Sequence, residues 1–449
     1  MTALLNKLHA RLGDFWWYSL MIFMAARAAD CLNVFVGLWL VPKYVPPSEL
    51  GAVQPLANFA SFLALPAAVF ASTFRQELSN LAVNRQFGKM KTLMRSVFIA
   101  AAIFLFLAIV VSHFVLPHFL HRIRIAEGSL GMLIIVYSFI STIAPIFQNA
   151  LQSLKKFKAT TVISLLGAPI RLLAMLATMP LRALSGYFIG QTSTPAFSIV
   201  TSVIALRKEL SVPAEPYWTR PAVRRFSRLF AIFSISAIAG GLASLIETTV
   251  LRQRLPELDS AAYYMATRFS DIAGFLSAAL IFTIFPFTAD LAANGKDTRP
   301  IVLKSSLLII ITNAILAGLL CIAGRQILAL LPHGNQYADY WWAIPCLVGN
   351  ATLFAIANLY FTVEASAFRL GYVKWFVPLA FAYAGLLLIT TGHGYIDGYI
   401  PASWSAFLET HNIHSLKTMI WWMTGFNAFK VVFGLFSLSR QKPRGHFDS

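Results

Sequence analysis

Charge is scarce in this chain of 449 residues. Asp, Glu, Lys and Arg make up 12% of it against 58% hydrophobic residues, and a soluble domain carries roughly twice that charged share. The acids are the scarcer sign, 18 against 36 Lys and Arg, for a net charge of +18. Cysteine is limited to Cys31, Cys321 and Cys346, too far apart for a metal-ligand spacing or a disulfide framework, so all three read as packing residues. No phosphate-cradling G-x-x-x-x-G-K-[ST] occurs, because Gly88-Lys89 and Gly295-Lys296 lack the earlier glycine; ATP hydrolysis through that motif is excluded. Long polar stretches are missing too, which leaves no room for a separate catalytic domain. No Ser/His/Asp arrangement can be argued from spacing, and no motif calls for a cofactor.

What the chain has is a dozen apolar runs of about 20 residues, the length that crosses a bilayer core of roughly 30 Å. They fall at 15–42, 52–74, 94–116, 130–151, 160–181 and 185–206, then at 226–251, 262–288, 302–324, 341–363, 371–392 and 418–438. Runs this long exclude a barrel, whose strands alternate over about ten residues, so the spans are helices. The expected fold is an all-α polytopic membrane protein of about twelve transmembrane helices. Lys7 and Arg11 precede an apolar run too long for a signal-peptide core, and that run reads as the first span. Trp16, Trp17 and Tyr18, Trp341 and Trp342, Trp375, and Trp421 and Trp422 sit near span starts, where amphipathic rings favour the headgroup level.

With both termini placed in the cytoplasm, 24 Lys and Arg fall on the inner side, eight in outer loops (Arg252 and Arg254 among them) and four within spans. That asymmetry is the positive-inside signature. It accounts for the basic character without nucleic acid, whose recognition needs a soluble basic module. The longest inner break, 207–225, holds Pro213, Pro216 and Pro221 among basic residues. It divides the chain into a six-helix lobe at 1–206, a linker at 207–225, and a six-helix lobe with a cytoplasmic tail at 226–449. Such a division suits two parallel repeats about an axis along the membrane normal. The stretch from Pro46 is faintly echoed by the stretch from Leu255: an acidic turn, an apolar run, a late proline, then a basic loop.

Ionisable groups inside spans cost about 2.5–3.5 kcal/mol each on insertion scales and so mark cavities or partners. Seven stand out: Arg27, Asp30, Arg171, Glu247, Arg268, Asp271 and Lys430. Arg27 and Asp30 are three apart on one helix face, and Arg268 and Asp271 repeat that spacing. Glu247 closes a stripe of small and polar residues, Ser236, Gly240 and Ser244. It is a candidate proton or cation site, with a water-exposed Glu near the outer helix end as the alternative. Four cations against three anions lean towards an anionic substrate, and Arg is the better phosphate reader. His411 and His414, in the outer loop 393–417, read as solvated rather than metal-binding.

Three stretches then carry a family likeness. LWLVPKYVPPSELGAVQPL at the exit of the first span, DSAAYYMATRFSDIAGFLSAALIFTIFPF in the eighth, and the charged loop RQELSNLAVNRQFGKMKTLMRS resemble the polysaccharide repeat-unit flippases, O-antigen or capsule type, of the multidrug/oligosaccharidyl-lipid/polysaccharide exporter superfamily. The resemblance implies two six-helix lobes around a V-shaped cavity in a bacterial plasma membrane. It implies alternating access for an undecaprenyl-pyrophosphate-linked oligosaccharide, with polymerases or ligases of the same pathway as partners beside the membrane lipids. Arg27 and Arg268 match places where related lipid II flippases carry basic residues, with Arg171 and Lys430 in support; Asp30, Glu247 and Asp271 then balance charge or take up a coupling ion. Gln54 and Asn58 stand where those flippases have basic groups. Two alternatives stay open: an ion-coupled multidrug exporter of the same superfamily, and a membrane-embedded glycan polymerase or ligase, for which the longest outer loop is short.

Overall fold

The computed structural model describes residues 21, 24–125, 129–293, 297–366, 373–390 and 415–439. Trp16–Tyr18, His411 and His414 lie outside the described residues. The described chain is all-α: α1 (Met24–Tyr44), α2 (Val53–Val83), α3 (Phe87–Arg122), α4 (Ser129–Ser153), α5 (Phe157–Thr178), α6 (Ala183–Leu210), α7 (Arg220–Arg254), α8 (Glu257–Ala293), α9 (Arg299–Leu330), α10 (Ala343–Ser366), α11 (Val373–Thr390) and α12 (Leu416–Ser439). Among the described residues, eight helices are long and apolar enough to cross a membrane, in α1, α4, α5, α6, α7, α9, α10 and α12. The surface agrees: Ile322 is 78% exposed and Phe114 69%, as lipid-facing side chains are. This is a multi-pass membrane protein.

Several helices outrun the apolar runs that announce them. α2, α3 and α8 have 31, 36 and 37 residues, and at about 1.5 Å per residue each exceeds a bilayer core. Hydropathy stops at the first polar flank, whereas backbone hydrogen bonding continues through it.

Three of the connecting turns are built alike. At Arg85, Arg124 and Lys155 φ is 53°, 59° and 54°. In each, the next residue's N–H reaches back five positions: Gln86 to Leu81 O at 2.9 Å, Ile125 to Leu120 O at 2.9 Å, and Lys156 to Leu151 O at 2.9 Å. This is the Schellman helix ending with a basic residue where glycine is usual. The left-handed conformation costs an L-residue about 1–2 kcal/mol, and a cation at the negative end of the helix dipole offsets part of that.

By contact the chain groups into two compact units, one of the chain up to Val36 with Leu56–Gly241, the other of Gly37–Pro55 with Leu242–Ser449. Thus α1 changes unit at Gly37, inside a π-helical stretch, Val36–Leu40. α7 changes unit after Gly241.

In the first unit α6 packs on α4, α5 and α3. The α5–α6 hairpin is tight enough that a Cβ on Gly186 would stand 2.6 Å from the Thr178 carbonyl, which only glycine allows. At the end near the α2–α3 turn, Leu78, Leu81, Met90, Leu93, Ile146, Leu151 and Leu206 form a buried cluster. The stretch after α6 is held rather than loose. Lys91 Nζ donates to Val212 O at 3.0 Å, Thr92 Oγ1 to Glu215 O at 2.5 Å, and Trp218 Nε1 to Ser96 Oγ at 2.8 Å.

In the second unit α10 packs on α8, α9 and α12, and a single turn, Pro47–Leu50, packs on α8. Arg252 and the three cysteines depart from expectation. Arg252 is not an outer-loop charge: α7 continues to Arg254, and the Arg252 side chain is fully buried, Nη2 donating to Ser48 O at 2.5 Å. Nor are the cysteines packing residues, since Cys31, Cys321 and Cys346 are all exposed free thiols. A small apolar side chain facing lipid needs no protein partner. Outside the spans, Tyr340 donates to Asp259 in the first turn of α8; burial and that hydrogen bond push the phenol up to about 12.

Arg252 fastens the 47–50 turn to α7. Arg252→Ala is expected to lower stability by about 1.5–3 kcal/mol, the value of a hydrogen bond to a charged group, read as an earlier thermal unfolding transition in detergent. Arg254→Ala should leave the transition in place.

Candidate functional site: intramembrane charges and their partners

All seven candidate residues are described, and they fall into four settings. In α1, Arg27 Nη2 meets Asp30 Oδ2 at 3.0 Å, with 34% and 20% of the side chains accessible. In α8, Arg268 Nη1 meets Asp271 Oδ2 at 3.1 Å, with 20% and 37% accessible. Both pairs follow from the three-residue spacing, which stacks side chains on one helix face. A local pair lowers the insertion cost of each member, and the accessible area of all four leaves them able to meet a ligand.

Arg268 does more than pair. Nη2 also donates to Gln54 Oε1 at the start of α2, and the guanidinium lies 4.9 Å from the Tyr264 ring centroid. Its alkyl stem runs across Gly37, where an added Cβ would stand 2.5 Å from Cδ. The glycine sits in the π-helical stretch of α1; such bulges recur at functional sites. Gln54 is thus an uncharged partner of the arginine, in a place where the resembled flippases carry a cation. Gly37 is a site residue that sequence reading missed; a π turn has no reliable composition signal.

Glu247, on α7, and Lys430, on α12, come together in the second unit. Tyr383 Oη of α11 donates to Glu247 Oε2 at 2.7 Å. The Tyr383 ring stacks on Phe426, centroids 4.0 Å apart and planes 6° apart. Lys430 Nζ stands 4.0 Å from the Phe426 centroid, 5.2 Å from Phe354 and 5.9 Å from Phe376, and donates to Asn427 Oδ1 at 2.8 Å. The ammonium and the Glu247 carboxylate attract one another. Glu247 is partly exposed, and its carboxylate accepts a hydrogen bond from the neighbouring helix. Tyr263, buried on α8, lies in the field of Glu247, Arg268 and Asp271.

Arg171 differs from the other three cations. Its nearest polar groups are neutral: Nη1 is 3.5 Å from Gln191 Oε1, Gln191 Nε2 donates to Tyr187 Oη at 2.9 Å, and Tyr137 and Tyr187 are the ionisable groups it feels. Nε is buried with no hydrogen-bond partner. Among the described residues it makes no ion pair.

Glu364 was also missed. The apolar run ends at 363, but α10 continues to Ser366 and Glu364 is 3% exposed, accepting from Ser437 Oγ of α12. With Glu364 and the buried Arg252, each one residue beyond its predicted run, the intramembrane charges number five cations to four anions, and the neutral setting of Arg171 adds to that lean. Among the described residues no three His, Cys, Asp or Glu side chains gather as for a metal.

No protein-family model matches the sequence, and a search of curated proteins gives no match. Solved structures do match. An inward-facing multidrug-resistance MATE transporter of the MOP superfamily aligns with TM-score 0.62 at 13% identity, over 93% of this chain and 98% of that one. Lipid II flippase MurJ, in an inward closed conformation, aligns with TM-score 0.63 at 13% identity, over 94% and 87%. A MATE protein in the straight conformation aligns with TM-score 0.60 at 14% identity, over 93% and 94%. The chain shares the fold of these transporters. At such identities the likeness speaks for the fold alone, and none of the three is an enzyme.

The contact of Gly37 with Arg268 makes a double-mutant prediction. Gly37→Ala should destabilise by about 1–3 kcal/mol, the range for overpacking. In an Arg268→Ala background the same change should cost clearly less, because the colliding stem is gone. Thermal unfolding of the four proteins measures both.

Proposed function

We propose that this chain is a transporter of a bacterial plasma membrane that works by alternating access between two lobes of six helices, twelve spans in all, with both termini cytoplasmic. Its proposed substrate is an undecaprenyl-pyrophosphate-linked oligosaccharide, moved from the inner to the outer leaflet for cell-surface polysaccharide synthesis. The polymerase or ligase of the same pathway is the proposed partner.

The observation that carries the substrate reading is the setting of Arg171. An unpaired intramembrane guanidinium is expensive, and a pyrophosphate or an acidic sugar would complete it. Arg27 in the first unit and Arg268 in the second are each proposed to attract an anionic head, their carboxylate partners Asp30 and Asp271 holding them poised when it is absent. Lys430, already engaged by Asn427 and three rings, is proposed to act at Glu247 instead of at the substrate. A ligand that binds one lobe arrangement better than the other shifts the equilibrium by that difference in affinity and no more.

A second reading is supported by the comparisons: two of the three transporters described above are MATE proteins, one of them a multidrug-resistance transporter. On that reading the chain is an ion-coupled exporter of small amphiphiles, with Glu247, Asp30 or Asp271 taking the coupling ion.

Liposomes carrying a fluorescent undecaprenyl-pyrophosphate oligosaccharide separate the two. Protein-dependent exposure of the glycan to an external quencher is expected, and Arg171→Ala is expected to slow it at least about tenfold, near 1.4 kcal/mol of lost interaction. Normal exposure by both Arg27→Ala and Arg268→Ala would remove those residues from the site. No exposure above empty liposomes, with efflux of a dye in its place, would move the protein to the exporter reading.

A further inference from the structure

A lysine held by aromatic rings in mid-helix is an unusual use of a cation. Phe354, Phe376 and Phe426 come from three different helices, α10, α11 and α12, and all three centroids lie within 6 Å of the Lys430 ammonium. Rings at that distance attract a cation through their quadrupoles, most strongly when water is absent. Asn427 supplies one acceptor at 2.8 Å and is itself fixed, Nδ2 donating to Asn350 Oδ1 at 2.8 Å. Glu247 accepts from the Tyr383 hydroxyl behind the Tyr383–Phe426 stack, and its carboxylate is a counter-charge beyond direct contact with the ammonium. Three ring faces, a carboxylate and a fixed amide oxygen make up the chemistry that recognises an organic ammonium.

The cage also has an approach. A cavity of 320 Å³ between α11 and α12 is lined by Leu379, Leu386, Trp421, Phe429 and the two stacked rings Tyr383 and Phe426. The last two are also the ring and hydroxyl nearest the lysine and the glutamate, so one aromatic stack separates the cavity from the two charges. The lining is almost wholly apolar and its outer members are exposed, Trp421 to 76% and Phe429 to 59%. A greasy cation dissolved in the bilayer would meet this opening from the lipid side.

We propose that the second unit contains a built organic-cation site that Lys430 occupies with its own ammonium, so that the lysine is a specificity-determining residue that bars lipophilic cations from the protein. A tethered cation is present at very high effective concentration, and a free one must displace it and leave a second charge unpaired. Replacing the ammonium by a flexible apolar side chain would leave the rings and Glu247 without a cation, and a lipophilic monovalent cation that displaces this side chain would then satisfy both. The inference rests on the reading that the carried substrate is anionic, and the glycan-exposure assay tests that reading separately.

The test is equilibrium binding of radiolabelled tetraphenylphosphonium to the full-length protein in phospholipid nanodiscs, with empty discs subtracted. Wild type and Lys430→Arg, which keeps the charge, are expected to bind no more than background. Lys430→Met is expected to bind saturably, at least about tenfold tighter than wild type, and the double variant Lys430→Met with Glu247→Gln is expected to lose that gain. Lys430→Gln, which keeps a hydrogen bond to Asn427, gives the same reading if the methionine variant is not monodisperse. Saturable binding to wild type equal to that of the Met or Gln variant would overturn the proposal. So would a folded Met or Gln variant that binds nothing, or a gain that survives in the double variant.

Discussion

The cost of placing an ionised side chain in hydrocarbon governs this molecule. At about 2.5–3.5 kcal/mol or more for each group, nine such groups cannot be incidental, and nearly all of them have been given a partner by the local geometry. Two guanidinium–carboxylate pairs are made within a single turn of one helix, at Arg27–Asp30 and Arg268–Asp271. Packing of α7, α11 and α12 gives Glu247 the Tyr383 hydroxyl and sets Lys430 over the Phe426 ring that Tyr383 stacks on. Glu364 takes a serine hydroxyl from α12. Among the described residues the polar groups that Arg171 meets are neutral, and the functional reading of the chain rests on that exception.

The same cost bears on the 37–55 stretch. Arg268 needs space for its stem and an acceptor beyond Asp271. Gly37 gives the space and Gln54 the acceptor, and both belong to the 37–55 stretch that groups with the C-terminal part of the chain. Arg252, fully buried, ties the middle of that stretch to α7 through Ser48. Two arginines, one on α7 and one on α8, thus hold a segment that linear order would assign to the N-terminal half.

Much of this was legible beforehand, for identifiable reasons. Membrane helices declare themselves because lipid demands both an apolar surface and internal backbone hydrogen bonding. The Arg-x-x-Asp pairs were legible because three residues is the spacing at which helical side chains meet. What was not legible depends on neighbours distant in sequence. The partner of Glu247 is Tyr383, 136 positions away, and Lys430 gathers rings from three helices. Arg252 looked like a loop charge because hydropathy averages cannot see that α7 continues, and Glu364 fell one residue beyond its apolar run. The cysteines were misassigned because burial statistics from soluble proteins do not carry over to a chain whose outside is also apolar. The turns at Arg85, Arg124 and Lys155 were hidden by the absence of the glycine that usually marks them.

If Arg27, Arg171 and Arg268 serve a charged substrate, they border water rather than lipid or sealed protein. Single cysteines placed at 27, 171 and 268, in a background with Cys31, Cys321 and Cys346 replaced by alanine, can be challenged with a small charged thiol reagent and with a lipid-soluble one in membrane vesicles. The account predicts reaction with the charged reagent at all three positions, at rates that change when the accessible side of the membrane is switched. Reaction with the lipid-soluble reagent alone would contradict it, and would reduce these charges to aids for insertion.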